Sequence, residues 1–192
     1  MCIRDSIYPG YAMISALYVD DDPSFLEIGK MFLEQSGIIQ ITTAISAMTA
    51  LGAMQERMFD VIISDYEMPG MNGIDLLKRV REKNDIIPFI IFTGRGREDV
   101  AIEALNSGAS FYLQKDGDPA SLFIELINMV NRAVQHAHVA VELEKKNEEL
   151  TSLNEELAAS EEELRDTIHQ LAITAEQVRE SEERYRLVME AT

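Results

Sequence analysis

The sequence predicts an α/β domain built on an open parallel sheet of five strands, followed by a long helix. Three observations predict it. Between residues 13 and 136, short apolar runs alternate with segments of helical spacing. Four of those runs end beside a carboxylate, a hydroxyl or an ammonium, at Asp20-Asp21, Asp65, Thr93 and Lys115. After Gly117 there is no glycine and after Pro119 no proline, while apolar residues recur every seven positions.

Each element has its own signal. Ile14–Val19 reads as a first strand, and Asp22-Pro23 as a helix start, with the aspartate as N-cap and proline at the first helical position. Phe25, Leu26, Ile28, Gly29, Phe32 and Leu33 give helical spacing that stops at Gly37. Residues 38–42 read as a second strand. Ala44, Ala47, Met48, Leu51 and Met54 repeat at three and four, which predicts a second helix. Val61–Ser64 is a third strand, and its unbroken apolar run suits burial on both faces. Ile74, Leu77 and Val80 mark the third helix, and residues 88–92 the fourth strand. Val100, Ala101, Ala104 and Leu105 mark the fourth helix, closed by Gly108. Phe111–Gln114 is the fifth strand, and Asp118-Pro119 starts the fifth helix. Crossovers this short require right-handed βαβ units.

In an open parallel sheet, ligands bind at the carboxyl ends of the strands. Asp20, Asp21, Asp65, Thr93 and Lys115 therefore converge on one site. Each has an ordinary reading: helix cap, turn residue, strand end or solvated lysine. A cap needs one aspartate, however, and Asp22 supplies it, which leaves Asp20 and Asp21 unexplained. Three carboxylates held close repel one another, and a divalent cation relieves that. Mg²⁺ suits an oxygen-donor site that keeps waters and takes phosphate oxygens. A carboxylate there can act as a nucleophile of the aspartyl-phosphate type.

Residues 13–136 resemble the receiver domain of a two-component response regulator. The resemblance rests on LYVDDDP, VIISDYEMPGMNGIDLLKRVR, FIIFTG and GASFYLQKDGDP, which together span the domain. It implies a flavodoxin-like doubly wound sheet of order 2-1-3-4-5, with the site at the switch point between the first and third strands. It implies that Asp65 is the phosphoacceptor, that Asp20 and Asp21 hold Mg²⁺, and that Glu67 offers the metal a backbone carbonyl. Thr93 matches the switch hydroxyl, Lys115 the lysine that pairs with phosphate, and Tyr112 the aromatic switch position. The phosphodonor it implies is a histidine kinase or a phosphotransfer protein. One departure stands out: Asp116 follows the lysine where the family usually has proline.

Leu143, Leu150, Leu157, Leu164, Leu171, Val178 and Tyr185 form a seven-residue column. It extends backward through His136, Met129 and Leu122. A column this long predicts a coiled coil over 137–184, read as a parallel homodimer. The second core column is weak, holding Asn147, Asn154, Glu161, Ile168 and Ala175 in one register, and Leu153, Ser160, Thr167 and Thr174 in the other.

Net charge is −17, and residues 139–192 carry fifteen acidic against six basic side chains. That argues against nucleic acid or an anionic membrane as partner, since both need a basic face. No run is long and apolar enough to span a bilayer, and no signal peptide is visible, so the expected location is cytoplasmic. Cys2 is the only cysteine, which excludes a disulfide within the chain and thiolate zinc sites.

Residues 1–12 show no periodicity and read as a non-native or disordered tail. Residues 185–192 resemble the start of a PAS-like domain. A complete histidine kinase is excluded because His169 is followed by Gln170 and no Gly-rich ATP lid is present. Two alternatives stand beside the receiver reading: a haloacid-dehalogenase-like Mg²⁺ phosphatase, suggested by the Asp-x-Asp within Asp20–Asp22, and a coiled-coil scaffold whose receiver is silent.

Overall fold

A computed structural model of the chain describes residues 13–83, 86–94 and 98–190, without the side chains of residues 185, 187, 188 and 190. The tail expected at 1–12 lies outside the described residues. Five strands alternate with five helices: β1 (Ile14–Val19), α1 (Pro23–Gln35), β2 (Ile39–Ala44), α2 (Ala47–Glu56), β3 (Val61–Ser64), α3 (Gly73–Arg81), β4 (Phe89–Thr93), α4 (Glu98–Asn106), β5 (Phe111–Gln114) and α5 (Pro119–Glu190). The strands form one parallel sheet of order β2-β1-β3-β4-β5.

The sheet alternates strictly between two cores. Ala16 and Tyr18 of β1, Val61 and Ile63 of β3, and Ile90 and Phe92 of β4 face α1 and the first part of α5, where Leu26, Leu33, Phe123, Leu126 and Val130 meet them. Leu17, Val19, Ile62, Phe89 and Ile91 face the opposite way, against α2, α3 and α4. Successive strand side chains point to opposite faces, so both parities must be apolar in a sheet covered on both sides.

Caps set the helix ends. Asp22 accepts from Ser24 N–H at 2.9 Å and Phe25 N–H at 3.3 Å. Asp118 accepts from the N–H and the hydroxyl of Ser121, both at 3.0 Å. At the end of α4, Gly108 turns at φ +93°. Its N–H donates to Leu105 and that of Ala109 to Ala104, the paired bonds of a Schellman ending.

Two expectations need correction. The second strand runs to Ala44, two residues further than its apolar pattern suggested, so Ala44 belongs to β2 and not to α2. The helix starts at Ala47 because Ser46 caps it, accepting from Thr49 N–H at 3.2 Å. The seven-residue column also does not begin as a coil seam. Leu122 is buried and Met129 packs against the same core. The receiver's own stripe shares that spacing.

The chain divides into two units, the first ending at Ala140 and the second starting at Val141, within α5. In the second unit Leu143, Leu150, Leu157, Leu164, Leu171 and Val178 are each more than half exposed. Lys146 pairs with Glu149 at 2.8 Å and Arg179 with Glu176 at 2.6 Å, one helical turn apart. Among the described residues, no helix is long and apolar enough to cross a membrane.

Gly29 lets α1 lie flat on the sheet. A Cβ there would run into the ring of Tyr18 and come within 3.3 Å of Phe123. Tyr18 is fully buried, and burial followed by the nearby carboxylates pushes its phenol well above the tyrosine range. Gly29→Ala should therefore destabilise the domain by about 1–3 kcal/mol, as overpacking does, despite the better helix propensity of alanine. Urea unfolding measures this; an unchanged or higher midpoint would contradict the close contact.

Candidate functional site

Strand parity explains what meets at the end of the sheet. Asp20 continues the β1 series Ala16, Tyr18; Asp65 continues Val61, Ile63; Lys115 continues Phe111, Leu113. All three series face α1 and α5, so the three charged side chains leave the strands on the same side. Thr93 continues Phe89 and Ile91, the opposite parity. Backbone bonds hold the strand ends level: Asp65 N–H donates to Val19 at 2.8 Å, and Lys115 N–H to Thr93 at 2.7 Å.

The result is a shared ion pair. Lys115 Nζ donates to Asp20 Oδ2 at 2.6 Å and to Asp65 Oδ1 at 3.0 Å. Asp20, Asp65 and Thr93 are buried, at 2%, 6% and 1% exposure. Asp20 Oδ1 also accepts from Asp22 N–H at 2.9 Å. The Ser64 hydroxyl donates to the Asp65 carbonyl at 2.8 Å. Behind Asp65 the backbone is crowded: a Cβ at Gly73 would run into the Asp65 carbonyl oxygen, so only glycine fits at the start of α3.

One ammonium cannot fully offset two buried carboxylates. Burial pushes the Asp65 carboxyl above its usual 3.8; Lys115 pulls it down, Asp20 pushes it up again, and Tyr66 N–H lowers it by hydrogen bonding. Burial prevails, so the charged form of Asp65 is held at a cost.

These groups line an open cavity of about 460 Å³, formed by Asp20, Asp21, Asp22, Phe25, Asp65, Glu67, Thr93, Gly94 and Lys115. Six of the seven residues singled out in the sequence thus meet in one place. Asp21 and Glu67 are exposed at its rim. Tyr112 is not part of the lining. It is half-buried on β5 opposite Ile91, packed toward the α3 and α4 core. Phe25 was legible only as a core position of α1, yet it lines the cavity. Among the described residues, no three Asp, Glu, His or Cys side chains enclose a ready-made metal position. Lys115 occupies the space between Asp20 and Asp65. After it the loop turns at Gly117, with φ +95°.

Residues 16–127 match the family model of the response regulator receiver domain. The chain belongs to the response regulator receiver family. The receiver is 37% identical over 123 residues to an uncharacterised 14.6 kDa protein of Leptolyngbya boryana, covering 63% of this chain and 90% of that protein. It is 31% identical over 139 residues to the response regulator SaeR of Staphylococcus aureus, covering 72% of this chain; the match spans 60% of SaeR's length. Among solved structures, a receiver domain protein of Clostridium thermocellum superposes with a TM-score of 0.60 at 30% identity, over 66% of this chain and 98% of that one. The chemotaxis response regulator CheY4 of Vibrio cholerae gives 0.56 at 32% identity, over 62% and 99%. Neither the phosphatase nor the silent scaffold is favoured by this family membership.

The raised Asp65 pKa has a stability consequence. A carboxyl that binds its proton more tightly when folded contributes stability below the unfolded value near 3.8. That contribution is lost as pH rises through the higher folded value. The stability of Asp65→Asn relative to the parent should therefore increase as pH rises from below 3.8 toward neutrality. Paired urea titrations across that range measure it, and a pH-independent difference would show that the pairing with Lys115 cancels the burial.

Proposed function

We propose that this receiver accepts a phosphoryl group on Asp65 from a histidine kinase or a phosphotransfer protein in a Mg²⁺-dependent reaction. The observation that carries the reading is the buried Asp65 carboxylate, open to a cavity and facing an ammonium that it shares with Asp20. Asp65 supplies the nucleophilic oxygen. An O–P bond forms to it, and the bond from phosphorus to the donor breaks with its electron pair leaving on the donor. Lys115 neutralises charge on the phosphoryl oxygens, and Thr93 hydrogen-bonds the new phosphate. Gly94 beside it leaves room for the donor. Phosphoryl transfer asks for placement and charge more than for covalent help.

The donor set fits Mg²⁺. The cation takes one or two carboxylates and keeps waters, so it does not need a closed protein cage. The excess negative charge of Asp20 and Asp65, with only Lys115 between them, is what a cation would offset. Asp20, Asp21 and Asp65, with the Glu67 carbonyl, would hold it. When bound it neutralises the carboxylates and the transferred oxygens. Thr93 and Tyr112 are the switch residues, whose rearrangement changes the surface of α4, β5 and α5.

The second unit is proposed to form a parallel homodimeric coiled coil that passes the state of the receiver to PAS-like or kinase modules in the cytoplasm. An exposed column of leucines on a solvated helix supports this. Among the described residues, none after Val134 belongs to the buried core.

Incubation with acetyl phosphate and Mg²⁺ should add one phosphate to the chain, read by intact mass. Asp65→Asn should remove it, and Asp20→Ala should weaken Mg²⁺ binding markedly, so that more Mg²⁺ is needed for the same phosphorylation. Undiminished phosphate on Asp65→Asn would refute the assignment of the acceptor.

The chain should run as a dimer in light scattering at micromolar concentration. Truncation after Ala140 should leave a folded monomer. A monomeric full chain at high micromolar concentration would refute the coiled coil.

A further inference from the structure

The Lys115 ammonium has three N–H donors, and the structure shows where its remaining surface goes. Nζ lies 4.4 Å from the ring centroid of Phe25 and 5.4 Å from that of Phe92. Both are within the range of a cation–π contact. The lysine side chain is only 12% exposed, so the aromatic faces replace water around a strongly hydrated cation. Two other such contacts in the domain, Arg57 over Phe59 and Arg132 over Phe111, use arginines exposed to solvent. A desolvated pair is the one with more effect.

The two rings differ in place. Phe92 is fully buried in β4. Phe25 is half-buried in the first turn of α1 and lines the cavity together with the charged groups. It also packs on Phe92 and Phe123, at 5.9 and 6.1 Å between centroids. A leucine could fill that core position. It could not offer a π face to the ammonium.

We propose that Phe25 is a positioning residue for Lys115. Its ring covers the ammonium on the cavity side and keeps it directed at Asp20 and Asp65. The proposal deepens the phosphoacceptor reading and rests on it for its kinetic consequence. A lysine held in place needs no search to neutralise an incoming phosphoryl oxygen, whereas a freed one spends time in solvent.

Two measurements test this, on the full chain. The first needs no phosphorylation. The Lys115 Cε methylene should be ordered in NMR relaxation of the parent and of Phe25→Tyr, and mobile in Phe25→Leu. A methylene just as ordered in Phe25→Leu would overturn the proposal. The second is a double-mutant cycle on the rate of phosphorylation by acetyl phosphate with Mg²⁺. Phe25→Leu should slow the parent by about fivefold, Phe25→Tyr should restore the rate, and Phe25→Leu should add nothing on the Lys115→Met background. An equal slowing in both backgrounds would show that Phe25 acts through packing alone and would overturn the proposal. If the parent takes up no phosphate, the phosphoacceptor reading fails, and the order of the Lys115 methylene still decides whether Phe25 positions Lys115.

Discussion

A single ammonium lies 2.6 Å from one buried carboxylate and 3.0 Å from another. Those three groups come from positions 20, 65 and 115, at the ends of β1, β3 and β5. Charges are rarely buried unless paired, and removing one partner of such a pair costs about 3–5 kcal/mol. The end of the sheet is therefore constrained: Lys115 cannot leave without stranding two carboxylates, and neither carboxylate can leave Lys115 without losing the cation it is paired with. Yet the balance is incomplete, because two negative charges share one positive charge. Burial first, and the Asp20 charge only after it, push the Asp65 pKa up. Burial and the unbalanced charge both favour uptake of a proton or of further positive charge from the open cavity.

What keeps the three groups together is the parity of the strands. A strand slipped by one residue would send its terminal side chain to the other face of the sheet. Here the slip is resisted by the core, since Tyr18, Ile63 and Leu113 sit two residues before the site residues and are buried on the α1 and α5 side. Thr93 has the opposite parity and so approaches the cavity from the other side of Asp65. A hydroxyl there can answer a change at Asp65 without displacing Lys115. It lies on the same face of β4 as Ile91, and Ile91 pairs with Tyr112. That adjacency is what supports the switch roles proposed for Thr93 and Tyr112.

The strands were legible because each buried run is apolar on both parities, and β1, β3 and β5 have the bounds that their composition suggests. β2 was less so. It is an edge strand with Gln40 and Thr43 exposed, and Ala44 reads as readily as a helix residue. Only the Ser46 cap separates the two elements. The charged site residues were legible from their places after apolar runs. Phe25 was not, because an aromatic on the inner face of a helix looks the same whether it meets a side chain or an ammonium. That difference exists only once β5 has brought Lys115 across the sheet. Leu122 and Met129 show the converse: a seven-residue spacing cannot distinguish a stripe that packs on its own domain from one that awaits a second chain.

The two stretches of α5 differ in the width of their apolar stripe. Between residues 122 and 134 the buried positions are Leu122, Phe123, Leu126, Val130, Ala133 and Val134, a broad face of the kind that packs on a sheet. From residue 143 onward the stripe narrows to one column, flanked in either register by asparagine, glutamate, serine or threonine at most core positions. A broad stripe is satisfied within one domain. A narrow one covers too little area to pack on a sheet and matches the seam between two helices. The polar flanking positions reduce what such a seam can gain in either register. In the coiled coil proposed above, two packings of that kind would differ by little, and a small bias would be enough to favour one over the other.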